Sequence, residues 1–445
     1  MNTSDNPRVV AFYALLDVHA GVRPEDALND RWALLSPLDR GLCSALVYET
    51  IRHKLRLEAI VNRKVKKTTK YRVRLVLIIG LCQLLFFCRM SPIAITHQTV
   101  EIAKKCTIGF DKVVNAIMRS WLYERKGSKP WPRERASAGL GPNERLSIFY
   151  SHPAWLTERL VGDLGFREAR ALMVVNNISV PPTIRINPLV TSREEYVLTL
   201  PWPTSPTRWS PWGLTLSKAA GPPDKWPGYN EGAFNIQDES SQILGLLIGE
   251  PDSILDCCSG RGGKSLAMAT LRPEAKIVSV DRHHGRLEDL ELAAKRLKIP
   301  KVPQVVPCNI EELEAKVVGN NFDLVVLDAP CSGLGVIRRR PDLKWVRQPQ
   351  DLTTLPETQF ELINKVAEFV GPKGKLFYCV CTYTDEEGPD LMRRFFLARP
   401  DFEPYTINDI DESLRELFIE PGGLRMWPHI HGMDGFFYGL ARKKA

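Results

Sequence analysis

The sequence of 445 residues lacks any apolar run long enough to cross a bilayer as a helix. Its most apolar stretch, VLIIGLCQLLFFC (76–88), is shorter than the roughly 20 residues that a membrane span needs, so we expect a buried helix there. The first residues also lack a basic segment leading into an apolar run, and no signal peptide is expected. These two absences favour a cytoplasmic protein without a membrane partner.

Cysteine occurs at ten positions, but the spacing of a metal site is missing. No two cysteines form a CxxC pair, and no His–Cys spacing suits zinc, so we expect no metal. Without a secretory signal, free thiols in a reducing compartment are the default. Most of them should be small buried apolar side chains, and the thiols of interest are those that a ligand could reach.

Two common nucleotide-binding motifs are absent as well. The glycine-rich stretch LDCCSGRGGKS (255–265) matches neither GxGxxG nor the P-loop pattern GxxxxGK[ST]. Even so, Gly260, Gly262 and Gly263 would let backbone approach a ligand where a strand leads into a helix N-terminus. The next predicted strand ends in Asp281, where an acid commonly binds ribose hydroxyls. This pattern favours a nucleoside-containing cofactor, with NAD and S-adenosylmethionine both open; an ordinary turn and a helix N-cap are the alternatives.

Charge and length give weaker information. The net charge of +8 mildly favours a polyanionic partner.

The length suggests two or three domains. Residues 1–125 are predicted to be helical because apolar positions recur at helical spacing. The segment 127–144 is rich in Gly, Pro and charge and is predicted to be a linker. Helices and short proline-rich strands follow to about residue 232 and suggest a small α/β module.

From Gly232 onward, short apolar runs alternate with amphipathic segments. Continuous apolar strands separated by helices are typical of a parallel sheet that is covered on both faces. The predicted helices cover 263–271, 285–297, 311–317, 351–370 and 385–398. Because ligands in open α/β sheets bind at the carboxyl ends of strands, functional residues should lie in the loops that follow the strands.

Three candidate catalytic residues follow two of these strands. Asp328 and Cys331 lie in DAPCSGLGVIRRRPDLKW (328–345), and Cys381 ends the run KLFYCVC. Each residue alone would be an ordinary turn cap or packing residue, but together they should share one crevice beside the cofactor loop. This set suits methylation of pyrimidine C5. A thiolate that adds to C6 makes C5 nucleophilic, and an acid at N3 absorbs the charge that builds in the ring.

These motifs, together with YCVCTY, DGFFYGLARK, NIQDESSQ, HPAWLTERL, IRINPL and VVNAIMR, resemble bacterial 16S ribosomal RNA cytosine-5 methyltransferases of the Sun/Fmu (RsmB) type over nearly the whole chain. The resemblance implies an all-α NusB-like RNA-binding domain at 1–135 and a small α/β middle module at 145–231. It implies a Rossmann-like methyltransferase domain that uses S-adenosylmethionine at 232–445. The expected partner is 16S rRNA, naked or in an assembling small subunit, and we expect a monomer.

The resemblance also implies roles for single residues. Cys381 would be the nucleophile, Cys331 would assist product release, Asp328 would contact the cytosine, and Lys344 would face the active site. S-adenosylmethionine would be held by Cys258, Ser259, Gly260, Arg261, Gly262, Gly263, Lys264, Asp281, Asn309 and Asp328. Three departures stand out: Arg261 replaces a proline, Asn309 replaces an aspartate that commonly contacts adenine, and DEEG (385–388) replaces Glu-Glu-Asn. The first two bear on cofactor affinity and remove no catalytic group.

Two basic clusters are candidates for binding RNA, whose phosphates supply most of the affinity. The segment 51–75 carries ten Lys and Arg residues against one acid, and the second cluster, 337–347, adjoins the catalytic motif. The predicted RNA-binding residues are Arg63, Lys64, Lys66, Lys67, Arg338, Arg339 and Arg340. A solvated helix face is the alternative for the first cluster. The target cytosine must be unpaired or flipped out of a duplex.

Three other functions stay open from the sequence. A DNA cytosine-5 methyltransferase would use the Pro-Cys cysteine, Cys331, as nucleophile and would not need Cys381. A NusB-like RNA-binding scaffold with a degenerate methyltransferase domain fits the altered cofactor loop, but the intact cysteines and Asp328 argue against it. A nicotinamide dehydrogenase is disfavoured because GxGxxG is absent and no hydride-transfer residues are apparent.

Overall fold

The computed structural model describes residues 5–66, 68–126, 139–217 and 221–445. These residues form two compact units, each discontinuous in sequence. The first unit contains the described residues up to Ile178 together with Arg340–Val346, and the second contains those of Ser179–Arg339 and Arg347–Ala445. The predicted boundaries at 1–135, 145–231 and 232–445 stay a prediction. Most of the predicted linker 127–144 lies outside the described residues.

The first unit is helical. Its helices before residue 178 are α1 (Pro7–His19), α2 (Pro24–Asn29), α3 (Pro37–Arg52), α4 (Lys54–Val61), α5 (Tyr71–Phe86), α6 (Pro92–Cys106), α7 (Asp111–Lys126), α8 (Pro142–Tyr150) and α9 (Ala154–Asn176). Proline at the first helical position starts several of them, and the side chain of Ser36 caps α3 by accepting from Asp39 N. The predicted buried helix at 76–88 is the second half of α5. No helix in the described ranges has the length and apolarity of a membrane span.

The second unit contains two sheets. A small antiparallel sheet in the order β2-β3-β1-β4 consists of β1 (Thr183–Ile186), β2 (Thr204–Pro206), β3 (Gly213–Leu216) and β4 (Phe234–Ile236). The strands of the large sheet are β5 (Ser253–Cys257), β6 (Lys276–Asp281), β7 (Gln304–Pro307), β8 (Phe322–Asp328), β9 (Val370–Val380), β10 (Phe402–Pro404), β11 (Phe418–Ile419), β12 (Gly423–Met426) and β13 (Phe436–Lys443).

Helices and turns connect these strands. The remaining helices are α10 (Arg193–Val197), α11 (Glu239–Gln242), α12 (Leu244–Leu247), α13 (Gly263–Leu271), α14 (His284–Arg296), α15 (Ala315–Val318), α16 (Leu343–Val346, in the first unit), α17 (Asp351–Ala367), α18 (Pro389–Ala398) and α19 (Pro428–His431). Four of the five predicted C-terminal helices are confirmed in position. The fifth, 311–317, is wrong, because a 3₁₀ turn at Ile310–Glu312 precedes the short α15.

The large sheet has the order β11-β12-β13-β9-β8-β5-β6-β7, with β10 paired to β13. Strands β5 to β9 pair in parallel with one another, as predicted, and both faces of the sheet are buried: Leu324 packs in one core cluster and Val325 in the other. The sheet is mixed beyond the predicted parallel part, because β13 runs antiparallel to β9 and β12. A buried apolar strand has the same sequence pattern in either direction.

Strand β5 is where the strand order reverses, since β6 lies on one side of it and β8 on the other. In open α/β sheets, the ligand crevice lies outside the carboxyl ends of the strands at this switch point. The loop after β5 and the loop after β8 therefore border the expected crevice.

Candidate active site

The loop between β5 and α13 is shaped by residues in the left-handed backbone region. Cys258 has φ 59° and Gly262 has φ 79°. A Cβ added at Gly262 would lie 2.4 Å from Cγ of Leu290, so only glycine fits this position. Burial, with nearby carboxylates, raises the pKa of the Cys258 thiol to about 12, and this thiol stays protonated at neutral pH.

Asp281, the last residue of β6, fixes the same loop. Its Oδ2 accepts from Gly260 N at 2.9 Å, and its Oδ1 accepts from His283 N at 2.8 Å. The Asp281 side chain is buried, and both hydrogen bonds are partly buried. Each carboxylate oxygen can accept more than one hydrogen bond, and the predicted contact of Asp281 with ribose stays a prediction.

The loop fits the predicted cofactor, S-adenosylmethionine. A Cβ added at Gly260 or Gly263 would meet no atom within 4 Å, which means that open space lies over both positions. The hydroxyl of Ser259 is buried and has no hydrogen-bond partner among the described residues. A buried polar atom ordinarily has a partner, so this hydroxyl suits a ligand that carries donors and acceptors.

Lys264 and Asp328 connect the two loops that border the crevice. Lys264 Nζ lies 2.7 Å from Asp328 Oδ1, and the lysine side chain is 7% exposed. Burial by itself lowers the pKa of Lys264, but the Asp328 carboxylate outweighs burial and raises it above its usual value. Lys264 therefore keeps its ammonium charge at neutral pH.

Sequence reasoning missed Asp256, a fully buried acid in the middle of β5. It accepts from Ser265 Oγ, which in turn accepts from Ser279 Oγ at 2.9 Å. Burial first, and the charge of Asp328 in addition, raise the pKa of Asp256 to about 7. The available signal was a single acid within the apolar strand SILDC.

The structure brings Cys331 and Cys381 together, as predicted. Strands β8 and β9 are parallel, with Asp328 opposite Cys379, and each cysteine follows its strand. Cys331 Sγ lies 3.3 Å from Cys381 Sγ, and both residues are partly exposed. By contrast, Cys379 is fully buried in the core. The hydrogen bond with Cys381, and then burial, raise the pKa of Cys331 well above the usual value of a thiol.

The two cysteine loops are hydrogen-bonded to each other through side chains and backbone. Ser332 Oγ donates to Thr382 Oγ1 at 3.0 Å, so the residues that directly follow the two cysteines are in contact. Gly335 N donates to Cys381 O at 3.0 Å. From outside the two loops, Arg347 donates to Cys331 O at 2.9 Å and to Ser332 O at 2.7 Å. The distance between the two sulfurs is thus fixed by surrounding structure.

Arg338 and Arg339, predicted to bind RNA, are ion-paired. The side chain of Arg338 is 4% exposed and contacts Asp434 and Gly432 O. Arg339 pairs with Asp434 at 2.7 Å and with Asp238 at 2.5 Å. These pairs hold the segment after the Pro-Cys motif against the loops that precede α11 and β13. A role of the two arginines in RNA binding stays a prediction.

Lys344 and Arg340 belong to the first unit, whereas the two cysteines belong to the second. Lys344 is fully buried, and its Nζ donates to Arg52 O at 2.8 Å and to Asn177 Oδ1 at 3.0 Å. Burial, and then the charge of Arg52, lower the pKa of Lys344 well below its usual value. Its predicted active-site role stays a prediction, as does RNA binding by Arg340, which pairs with Glu25 at 3.2 Å.

The remaining predicted site residues are exposed. Arg261 pairs with Asp289 on α14 at 2.8 Å, and Asn309 follows β7 at the surface. In the first basic cluster, Arg63, Lys64 and Lys66 are exposed, and Lys64 donates to Ser120 Oγ and contacts Glu124. The predicted RNA-binding residue Lys67 lies outside the described residues.

Comparison with protein families matches three parts of the chain. Residues 244–442 match the 16S rRNA methyltransferase RsmB/F family, and residues 5–122 match the NusB family. Residues 152–221 match the RsmF/B-like ferredoxin-like domain. The predicted fold classes are thereby confirmed, with the middle module specified as ferredoxin-like.

Curated relatives match over nearly the whole length. The probable ribosomal RNA small subunit methyltransferase B of Bacillus subtilis (strain 168) is 30% identical, with 92% of each chain covered. That of Synechocystis sp. is also 30% identical and covers 98% of this chain and 99% of the relative. The crystal structure of PH0851 has the same fold, with a TM-score of 0.76, 22% identity and 100% of both chains covered. The chain therefore belongs to the family of ribosomal RNA small subunit methyltransferases B.

Proposed function

We propose that this chain methylates C5 of a cytosine in 16S rRNA through a temporary covalent bond between Cys381 Sγ and C6 of the base. The observation that carries the proposal is the 3.3 Å between the sulfurs of Cys331 and Cys381, at the ends of adjacent strands. A single thiol suffices for nucleophilic attack, so a second sulfur at this distance suits an enzyme that must also release the adduct.

The family uses S-adenosylmethionine, which supplies a methyl group as an electrophilic sulfonium. The residues present fit it: the open space over Gly260 and Gly263, the buried hydroxyl of Ser259, and the acid Asp281 border one loop. We assign the hydrogen bonds to the cofactor to this loop and to Asp281. Asn309 follows β7 on the same edge of the sheet and is our candidate for the contact with adenine.

The proposed reaction begins with the Cys381 thiolate. Its sulfur adds to C6, the C5=C6 double bond opens, and C5 becomes the carbon that takes the methyl group. The C5 proton then leaves to solvent, and its electron pair restores the double bond. The C6–S bond breaks, and its electrons return to the Cys381 sulfur. The S–H of Cys331, whose raised pKa keeps it protonated, stabilises the departing thiolate through a hydrogen bond.

Asp328 is proposed to orient the cytosine. A carboxylate suits the N4 amine of cytosine, and it also stabilises a proton on N3 when negative charge builds in the ring. Lys264 Nζ lies 2.7 Å from Asp328 Oδ1, and this ion pair holds the partly exposed acid in place beside the proposed base.

A trapping experiment tests the proposal. A 16S rRNA transcript that contains 5-fluorocytidine should form a denaturation-resistant complex with the protein and S-adenosylmethionine, because fluorine cannot leave C5 as a proton does. Peptide mapping should place the bond on Cys381, and bisulfite sequencing of an unmodified transcript should find one methylated cytosine. Methylated RNA without a trapped complex, or a methyl group on another atom of the base, would contradict the proposed chemistry.

A further inference from the structure

Glu387 lies at the centre of the hydrogen bonds that hold the two cysteine loops, and it is fully buried. Its Oε1 accepts from Ser332 N at 2.7 Å, directly after Cys331. Its Oε2 accepts from Thr384 Oγ1 at 3.0 Å, in the loop after Cys381. One carboxylate thus contacts both loops at once.

Two residues complete this arrangement. The Nε2 amide of Gln359, in α17, donates two hydrogen bonds of 2.9 Å, one to Glu387 Oε1 and one to Pro330 O. The hydroxyl of Tyr378 donates to the backbone oxygen of Glu387 at 2.8 Å. The carboxylate therefore has three donors, which offsets the cost of burying its charge. Its position is set by a helix, a strand and both loops.

The charge of Glu387 has a second effect. A negative charge near a thiol disfavours the thiolate, and Glu387 is one of the groups that raise the pKa of Cys331. With the two sulfurs 3.3 Å apart, ionisation of one thiol also opposes ionisation of the other. The arrangement keeps one cysteine as a hydrogen-bond donor while the other carries the charge.

We propose that Glu387 is a positioning residue for product release: its buried carboxylate holds Cys331 against Cys381 so that the covalent RNA adduct is resolved. The inference rests on the proposed two-cysteine reaction and extends it to a residue that touches neither the base nor the methyl donor. Attack and methyl transfer need Cys381 alone, so loss of the carboxylate should leave them intact and slow only release.

The test compares Glu387→Gln with the wild-type enzyme. Glutamine keeps the size and one acceptor oxygen but removes the charge and replaces the other oxygen with a donor. Single-turnover methyl transfer to rRNA and both KM values should stay within about twofold of wild type. Steady-state turnover should fall on the order of 10- to 100-fold, as for small misplacements of reacting groups. A methylated, denaturation-resistant protein–RNA complex should accumulate.

A pH profile separates positioning from a general loss of folding. The rate of adduct resolution in Glu387→Gln should begin to change at lower pH than in wild type, because removal of the negative charge favours the Cys331 thiolate. A merely structural role would reduce all rates in proportion to the folded fraction, with an unchanged profile, and would overturn the inference. Glu387→Ala serves as the stronger variant, with its folded fraction measured by circular dichroism.

Two controls complete the design. Asp385→Asn removes a carboxylate from the same segment; this side chain is 61% exposed and pairs with Arg425 rather than with the donors of Glu387, so adduct resolution should be as in wild type. Cys331→Ala reports on the proposed reaction itself. If Cys331→Ala traps the methylated complex and Glu387→Gln does not, the role of Glu387 is wrong and the two-cysteine reaction stands. If Cys331→Ala traps no complex, the proposed two-cysteine reaction is itself wrong, and the role of Glu387 falls with it.

Discussion

Cys331 Sγ lies 3.3 Å from Cys381 Sγ, although the two residues are 50 positions apart in the chain. The contact exists because β8 and β9 are parallel neighbours and each cysteine follows the carboxyl end of its strand. Hydrogen bonds between Ser332 and Thr382, and between Gly335 and Cys381, then fix the two loops.

The two cysteines should fail differently when replaced. Cys381→Ala removes the nucleophile, and we expect neither methylation nor a covalent complex. Cys331→Ala leaves attack and methyl transfer intact but slows release, so that methylated RNA stays bonded to Cys381. Denaturing gel electrophoresis with rRNA and S-adenosylmethionine measures both outcomes. The double variant should lose the band. A band from Cys381→Ala instead would exchange the two roles, as in the DNA-type alternative.

A mild thiol oxidant should join the two cysteines. Diamide takes one hydrogen from each thiol and is reduced to the hydrazine, while the sulfurs form a disulfide; a sulfur pair in contact needs little movement to do so. We expect loss of methyltransferase activity, a cross-linked peptide containing Cys331 and Cys381 by mass spectrometry, and recovery with dithiothreitol. Cys88→Ser, which removes an exposed thiol, is the control and should be inactivated equally. Persistent activity without the cross-link would contradict the geometry.

Asp281→Ala should weaken binding of S-adenosylmethionine by about 1–3 kcal/mol, since the variant removes a buried hydrogen-bonding group and frees the loop at Gly260. Isothermal titration calorimetry measures this directly. Glu288→Ala, which removes an exposed acid from the neighbouring helix α14, is the matched control and should bind as wild type. Unchanged affinity of Asp281→Ala would exclude Asp281 as a ligand of the ribose.

The first basic cluster should bind RNA phosphates through its exposed members Arg63 and Lys66. Neutralising Arg63 and Lys66 together should reduce the slope of log affinity against log salt by roughly one unit per lost phosphate contact. Lys64→Ala should have a smaller effect, because Lys64 already contacts Glu124 and Ser120. Filter binding at several salt concentrations gives the slopes. Lys316→Ala, at a side chain 76% exposed, is the control. An unchanged slope would mean that this cluster faces solvent only.

Stability should depend on pH through Asp256, whose pKa burial raises to about 7 from an ordinary value of 3.8. A group whose pKa is higher in the folded state than in the unfolded state binds its proton more tightly when folded, and this binding stabilises the fold. The stabilisation is complete at pH values below the unfolded-state pKa, and it is lost as the pH rises through the folded-state pKa. Wild type should therefore lose stability between about pH 4 and pH 7 through this group. Asp256→Asn should lack that loss. Its free energy of unfolding should therefore rise by roughly 2–4 kcal/mol relative to that of wild type between pH 5 and pH 8.

Melting temperatures of both proteins at pH 5, 6, 7 and 8 measure the Asp256 effect. The control is Asp224→Asn, at a side chain 52% exposed, whose curve should run parallel to that of wild type. Parallel curves for Asp256→Asn as well would show that Asp256 is ionised throughout.

Much of the site could be predicted because strand ends are visible in the sequence. Alternation of apolar runs and helices placed Asp281, Asp328 and Cys381 at strand ends, and parallel pairing brings such ends together. The structure confirms these placements. The direction of β13 could not be predicted, because an apolar strand looks the same in both directions.

Long-range partners were beyond the sequence pattern. In the basic segment IRRRPDLKW, Arg339 was predicted to bind RNA, but in the structure it pairs with Asp238, which is 101 residues away in the chain. Arg338 pairs with Asp434 at a separation of 96 residues. Lys344 donates to Arg52 O in α3 and to Asn177 Oδ1 directly after α9, acceptors that the sequence around Lys344 does not indicate, and its active-site role stays a prediction. A charge becomes a structural partner only through tertiary contacts, which local spacing does not encode.

The discontinuity of the first unit has a consequence for synthesis on the ribosome. Translation makes residues 1–178 first, but the segment 340–346 that completes this unit follows only after the intervening residues of the second unit. Until then, the acceptors Arg52 O and Asn177 Oδ1 lack the Nζ donor of Lys344, and Ile51 O lacks the indole N–H of Trp345. The N-terminal helices thus reach their final packing only when most of the chain has emerged, which links maturation of the NusB-like region to synthesis of the segment that follows Cys331.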